Sequence, residues 1–210
     1  SSKNCSVCLS SKGKLIQSFD SEDDSYRHSE LLTSSIQDIL NENNIGVKDL
    51  SAVAIGIGPG SFTGLRIGFS VAKGLCYPHN INLIGISSLK IIANSVVREN
   101  KSIISLIKDK GKHYYISKYN SDLNEIIQPK INLIDSDYMF SILDEESIIV
   151  VDSDDSKEFI SQIIKNKTSV HSRTVSSIDM ISLSFKSFEE KKFEDIAYIE
   201  PMYVKKPYVS

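Results

Sequence analysis

Apolar residues recur along this chain with two periods, and the switch between them marks out its elements. Cys5-Ser6-Val7-Cys8-Leu9 reads as a strand, Ser10 to Gly13 as a tight turn, and Lys14 to Phe19 as the returning strand. An acidic loop follows over Asp20 to Asp24. From Tyr26 to Asn43 the period lengthens. Leu32, Ile36 and Leu40 stand four apart, with His28, Leu31, Ser35 and Ile39 beside them, which predicts a helix that Asn43 and Asn44 end. Ser51 to Ile57 is an apolar run that predicts a buried strand. A second helix is expected over Phe62 to Tyr77, stopped by Pro78. Asn82 to Ile86 reads as the next strand, with Ser87 or Ser88 capping a further helix.

Strands alternating with helices predict an α/β lobe whose helices cover a mixed sheet. The pattern places its end near Glu99, so the expected division is residues 1–99 and 100–210. Beyond it, Ser102 to Ile107 and His113 to Tyr119 read as strands around a Lys-Asp-Lys-Gly turn. Ile131 to Ile134 and Ser147 to Val151 are further strands, and Ser156 to Lys165 and Ser177 to Phe188 are helical. Two prolines extend the tail, Pro201 to Pro207.

Composition narrows the class. The 210 residues are 40% hydrophobic and 24% charged, a globular balance. A formal net charge of −3 lacks the basic surplus of a protein that grips RNA by its phosphates. Cys5, Cys8 and Cys76 form no disulfide framework and fit a reduced, cytoplasmic setting. Cys5 and Cys8 make a C-x-x-C by letter, with no second pair and no nearby histidine, and read as small strand residues. No apolar run approaches the length of a membrane span.

The stretch richest in chemistry runs from Ile55 to Gly68: I-G-I-G-P-G-S-F-T-G-L-R-I-G. A buried strand arrives, Gly58-Pro59-Gly60 turns the chain without side-chain bulk, and Ser61 or Thr63 can cap the helix that follows. Free backbone N–H groups and the positive end of the helix dipole would make Gly58, Pro59, Gly60, Ser61 and Thr63 a weak phosphate or nucleotide site. The competing reading is a tight strand-to-helix turn and nothing more. The register matches neither a P-loop nor a dinucleotide fingerprint. Inside the helix, Gly64, Gly68 and Ala72 fall four apart, with Gly74 beyond. Each interior glycine costs a helix roughly 1 kcal/mol, so close approach by a neighbour is expected on that face. Arg66 is placed either to pair with a carboxylate of the fold or to reach a ligand or partner.

This run resembles the TsaB (YeaZ) family. The likeness extends to Ala72-Lys-Gly-Leu75, Gly85-Ile-Ser-Ser-Leu89 and Arg27-His-Ser-Glu-Leu-Leu32, and to the tail Pro201-Met-Tyr-Val-Lys-Lys-Pro207. The resemblance implies an actin-like (ASKHA, RNase H-like) α/β fold of two lobes. It implies a non-catalytic subunit that supports a TsaD-type transferase in placing threonylcarbamoyl on a tRNA adenosine beside the anticodon. A TsaE-type ATPase joins them, and the free chain can pair with a second copy of itself. The expected partner surface is Arg27, His28, Leu31, Leu32 and Ser35 on the first helix and Gly64, Leu65, Gly68, Phe69 and Ala72 on the second. No cofactor is required on this reading, beyond weak ATP or ADP with magnesium at a complex interface. Contact with tRNA is indirect. The family opens with an apolar strand leading into an Asp-Thr-Ser turn. The likeness therefore implies a central strand, with its aspartate, ahead of Ser1. The family's I-D-A-R signal is replaced here by Leu106 to Gly111, so no role transfers to that stretch.

Catalytic alternatives find little support in the letters. Metalloprotease chemistry asks for paired ligands, and His28, His79, His113 and His171 stand singly. TsaD-type relatives carry an H-x-x-x-H pair that this chain lacks. No G-x-S-x-G elbow is present. Asp23-Asp24, Asp144-Glu145-Glu146 and Asp154-Asp155 read as solvated loops or helix starts. The alternative function is a nucleotide-binding ATPase or phosphotransferase of the actin superfold.

Overall fold

The structure is a computed structural model that describes residues 4–21, 28–96, 100–165 and 168–204. It divides into two compact units. One runs to Ile91 and takes in Val175–Met202; the other is built on Ile92–Thr174. This corrects the linear division at 99. The boundary falls inside a helix, and residues 175–202 return to the first unit. Glu99 itself lies outside the described residues.

In the first unit, β1 (Cys5–Ser11) and β2 (Lys14–Ser21) form an antiparallel hairpin. Helix α1 (His28–Glu42) buries Ile39 and Leu40 against Leu9, with Val7, Phe19 and Ile36 around them. It ends where Asn44 turns left-handed (φ 55°) and Ile45 N–H donates to the Leu40 carbonyl at 2.9 Å. Strand β3 (Ala52–Gly58) lies parallel to β4 (Asn82–Ser87), joined through α2 (Phe62–Cys76). Pro78 sits in the short 3-10 turn Tyr77–His79 that ends α2. Helix α3 (Ser88–Asn94) follows directly; the Ser87 hydroxyl at its start is buried and makes no hydrogen bond.

The second unit carries a five-stranded mixed sheet. Its strands are β5 (Ile103–Lys108), β6 (His113–Tyr119), β7 (Glu125–Leu133), β8 (Ile148–Val151) and β9 (Val170–Ser172), in the spatial order β7-β6-β5-β8-β9. Helices α4 (Ser136–Ile142) and α5 (Asp154–Ile163) supply Met139 and Ile160 to a core with Ile104, Leu106, Ile116 and Ile149. Neither α4 nor β9 is predicted from the sequence, and β7 begins six residues before the expected Ile131. Pro129 masks that first half, yet proline is tolerated there because β7 is an edge strand.

The last helix, α6 (Ile181–Glu189), brings Leu183 and Phe188 onto Ile84, Ile86 and Ile91 of the first unit. That burial, with Glu194 N–H donating to the Leu83 carbonyl at 2.8 Å, is why the C-terminal segment belongs there.

Candidate partner surface and glycine turn

The turn after β3 has a definite shape. Gly58 is buried with φ +104°, a conformation that side chains rarely adopt, and the Gly58–Pro59 peptide is cis. A Cβ on Gly58 would lie 3.1 Å from Leu65 Cδ1 and 3.3 Å from the Met202 carbonyl oxygen. Ser61 caps α2: its hydroxyl accepts from Gly64 N–H at 3.3 Å, and its carbonyl from Leu65 N–H at 2.9 Å. Thr63 is not the cap; it is an exposed residue of the first turn.

The inner side of the turn is therefore occupied by the chain itself. A carbonyl oxygen facing Gly58 opposes an anion at that point, and among the described residues no group of three or more His, Cys, Asp or Glu could hold a metal. Ser61, Phe62 and Thr63, at the helix start, are exposed.

Helix α2 has three sides. Phe69, Ala72 and Cys76 are buried against Ile55, Ile81 and Leu83, and Leu65 is buried beside the Gly58 turn. This corrects the expected interface: Leu65, Phe69 and Ala72, at 3%, 5% and 5% exposure, belong to the unit's own core. Ser35 of α1 is likewise buried, its hydroxyl donating to the Leu31 carbonyl at 2.6 Å. The opposite side of α2 is exposed. There the Arg66 guanidinium stacks 4.0 Å from the centre of the Phe62 ring, and among the described residues no carboxylate pairs with it.

Between these sides runs a half-buried flank of Gly64, Ile67, Gly68, Val71 and Leu75. On α1, which packs beside it, Leu31, Leu32 and Ile36 are half-buried too. Among the described residues, nothing makes the expected close approach at Gly68 or Gly74. A Cβ on Gly68 would meet only Ile55 Cδ1, at an ordinary 3.6 Å, and one on Gly74 would meet nothing within 4 Å. Arg27 lies outside the described residues, and His28 is the first residue of α1.

The other candidates resolve as structural groups. Cys5 and Cys8 are three apart on β1; Cys8 donates to the Ser177 carbonyl at 3.3 Å, and burial pushes both thiols up. Asp144 is exposed but pairs at 2.7 Å with Lys118, and that hydrogen-bonded ammonium holds its carboxyl below the usual range. Asp154 and Asp155 sit in the first turn of α5. Asp23 and Asp24 lie outside the described residues. Sequence analysis missed Asp152, which burial pushes up although it accepts from Lys108 N–H at 3.0 Å and from the Ser156 hydroxyl at 3.1 Å.

A family profile, TsaD: tRNA N6-adenosine threonylcarbamoyltransferase, matches residues 21–204. The chain belongs to this family, and within it to the TsaB (YeaZ) group. The TsaB of Escherichia coli (strain K12) is 34% identical over 124 residues, 58% of this chain and 53% of that protein. The Bacillus subtilis (strain 168) TsaB is 28% identical over 146 residues, 67% of this chain and 63% of that protein. Both are tRNA threonylcarbamoyladenosine biosynthesis proteins. The chain spans about half the length of the curated TsaB relatives of Escherichia coli, Haemophilus influenzae and Buchnera aphidicola that it matches. A solved YeaZ from Pseudomonas aeruginosa superposes with a TM-score of 0.82 at 19% identity, covering 96% of this chain and 95% of that one. That likeness shows the fold, a two-lobed α/β fold of the actin-like class.

Proposed function

We propose that this chain is the non-catalytic subunit that binds and supports a TsaD-type transferase in forming threonylcarbamoyladenosine next to the anticodon of tRNA. The observation that carries the reading is the flank of α1 and α2. Leu31 and Leu32 are half-buried, as are Gly64, Ile67, Gly68 and Val71 on α2, and among the described residues nothing crowds Gly68. Two helices of a related subunit would bury that strip. A second copy of this chain would do so when the partner is absent. Net charge −3 assigns the grip on tRNA phosphates to the transferase. A TsaE-type ATPase completes the assembly, in the cytoplasm; among the described residues no helix is long and apolar enough to cross a membrane.

Reconstitution tests this. Purified transferase, tRNA and the threonylcarbamoyl adenylate intermediate are combined with and without the chain. Product that requires the chain, with none formed by the chain alone, is the expected result. A transferase that runs equally well without it would sink the reading, and ATP affinity at the Ser61 rim would then test the nucleotide-binding alternative.

A further inference from the structure

The segment after α6 is tied to the first unit at three places. Glu194 pairs with Leu83, its N–H on the Leu83 carbonyl at 2.8 Å. A turn at Asp195, closed by Ile199 N–H on the Asp195 carbonyl at 2.8 Å, then reverses the chain. Lys73 of α2 donates to the Ala197 carbonyl at 3.4 Å. Ile196 and Ile199 pack into the same cluster as Phe69, Ala72 and Cys76 of α2. Glycine at 85 is what lets the segment lie so close: a Cβ there would sit 2.8 Å from Ile57 Cγ2, 3.1 Å from Glu194 Oε1 and 3.4 Å from Ile199 Cδ1. The last tie is Met202, whose N–H donates to the Ile57 carbonyl at 2.7 Å while its own carbonyl faces Gly58.

Ile57 is the residue before the turn, and Ser61, the cap of α2, is four residues further on. We infer that residues 194–202 are a positioning strap: seated, Met202 fixes the glycine turn and so the start and orientation of α2. The link to partner binding rests on the function proposed above. Because the strap holds the helix whose flank docks, seating and docking stabilise one another. By linkage, the partner then favours the seated strap as strongly as the strap favours the partner.

The test separates the two claims. Met202→Pro removes the donating N–H and keeps the tail; Met202→Ala keeps the N–H. In the free full chain, hydrogen exchange of the Gly64 and Leu65 amides is expected to quicken about tenfold in Met202→Pro and to stay native in Met202→Ala. Affinity for the transferase subunit should fall about tenfold in the first and be unchanged in the second. Native exchange at Gly64 and Leu65 in Met202→Pro would overturn the strap. Faster exchange with undiminished affinity would uphold the strap and overturn the partner surface. Should Met202→Pro unfold the unit, the unmutated chain decides: under mild denaturant the Met202, Gly64 and Leu65 amides are expected to open together. A Met202 amide that opens alone would refute the inference.

Discussion

Replacing Gly68 by leucine puts a branched side chain on the flank of α2 that the fold leaves half open. The free chain should accept it. The first added carbon meets only Ile55 Cδ1 at 3.6 Å, an ordinary contact, and Gly68 is half-buried rather than closed in. Removing a glycine from a helix interior returns up to about 1 kcal/mol. Gly68→Leu and Gly68→Ala should therefore both keep cooperative unfolding, with melting temperatures at or above native. At the docked surface the sign reverses. Overpacking a close contact costs about 1–3 kcal/mol, which converts to roughly 5- to 150-fold in Kd. Calorimetric titration against the transferase subunit reads that loss, and thermal melts by circular dichroism read the fold. A Gly68→Leu chain that binds with native Kd would refute the partner surface. One that no longer folds would show that the flank belongs to the chain's own core.

Gly85→Ala should lower stability by about 1–3 kcal/mol, because its Cβ would sit 2.8 Å from the stiff, β-branched Ile57; scanning calorimetry checks this. Burial pushes the Cys76 thiol up to about 11 from 9.0, so labelling by a thiol reagent at pH 8 should be slower than for a free cysteine, through a roughly hundredfold smaller thiolate fraction. The fold favours the neutral thiol, so Cys76 contributes stability below pH 9 that is lost as pH rises through about 11; Cys76→Ala should flatten that alkaline limb in pH-dependent melts. Asp144→Ala should cost about 1–3 kcal/mol by urea unfolding, since it leaves the buried Lys118 ammonium with the Ile142 carbonyl alone. Lys118→Met should cost less, because Asp144 is already largely exposed and can hydrate.

Much of the first unit was legible in the letters. The four-residue spacing in α1, the stop at Pro78 and the glycine turn into α2 are local signals, and each element appears within a residue or two of its expected ends. The second unit was harder. Helix α4 is short, β9 has three residues, and Pro129 hides half of an edge strand whose tolerance of proline depends on having no neighbour on that side. The partner surface was half legible. Periodicity marked α2 as having an apolar stripe and a glycine stripe, but not which of them meets its own sheet. The structure gives Leu65, Phe69 and Ala72 to the core and leaves Gly68 and Gly74 open.

By itself, then, the chain's order of residues determined most elements of the first unit, the presence of a turn at Gly58 and the family. Those depend on φ/ψ preferences, capping and short-range periodicity, which act within a few residues. The tertiary structure alone decided that residues 175–202 return to the first unit, that Met202 seats on Ile57, and that Ser35 is inside while Leu32 is not. Those depend on contacts between residues more than a hundred positions apart, or on which face of a helix finds a sheet, and neither is written in any local stretch.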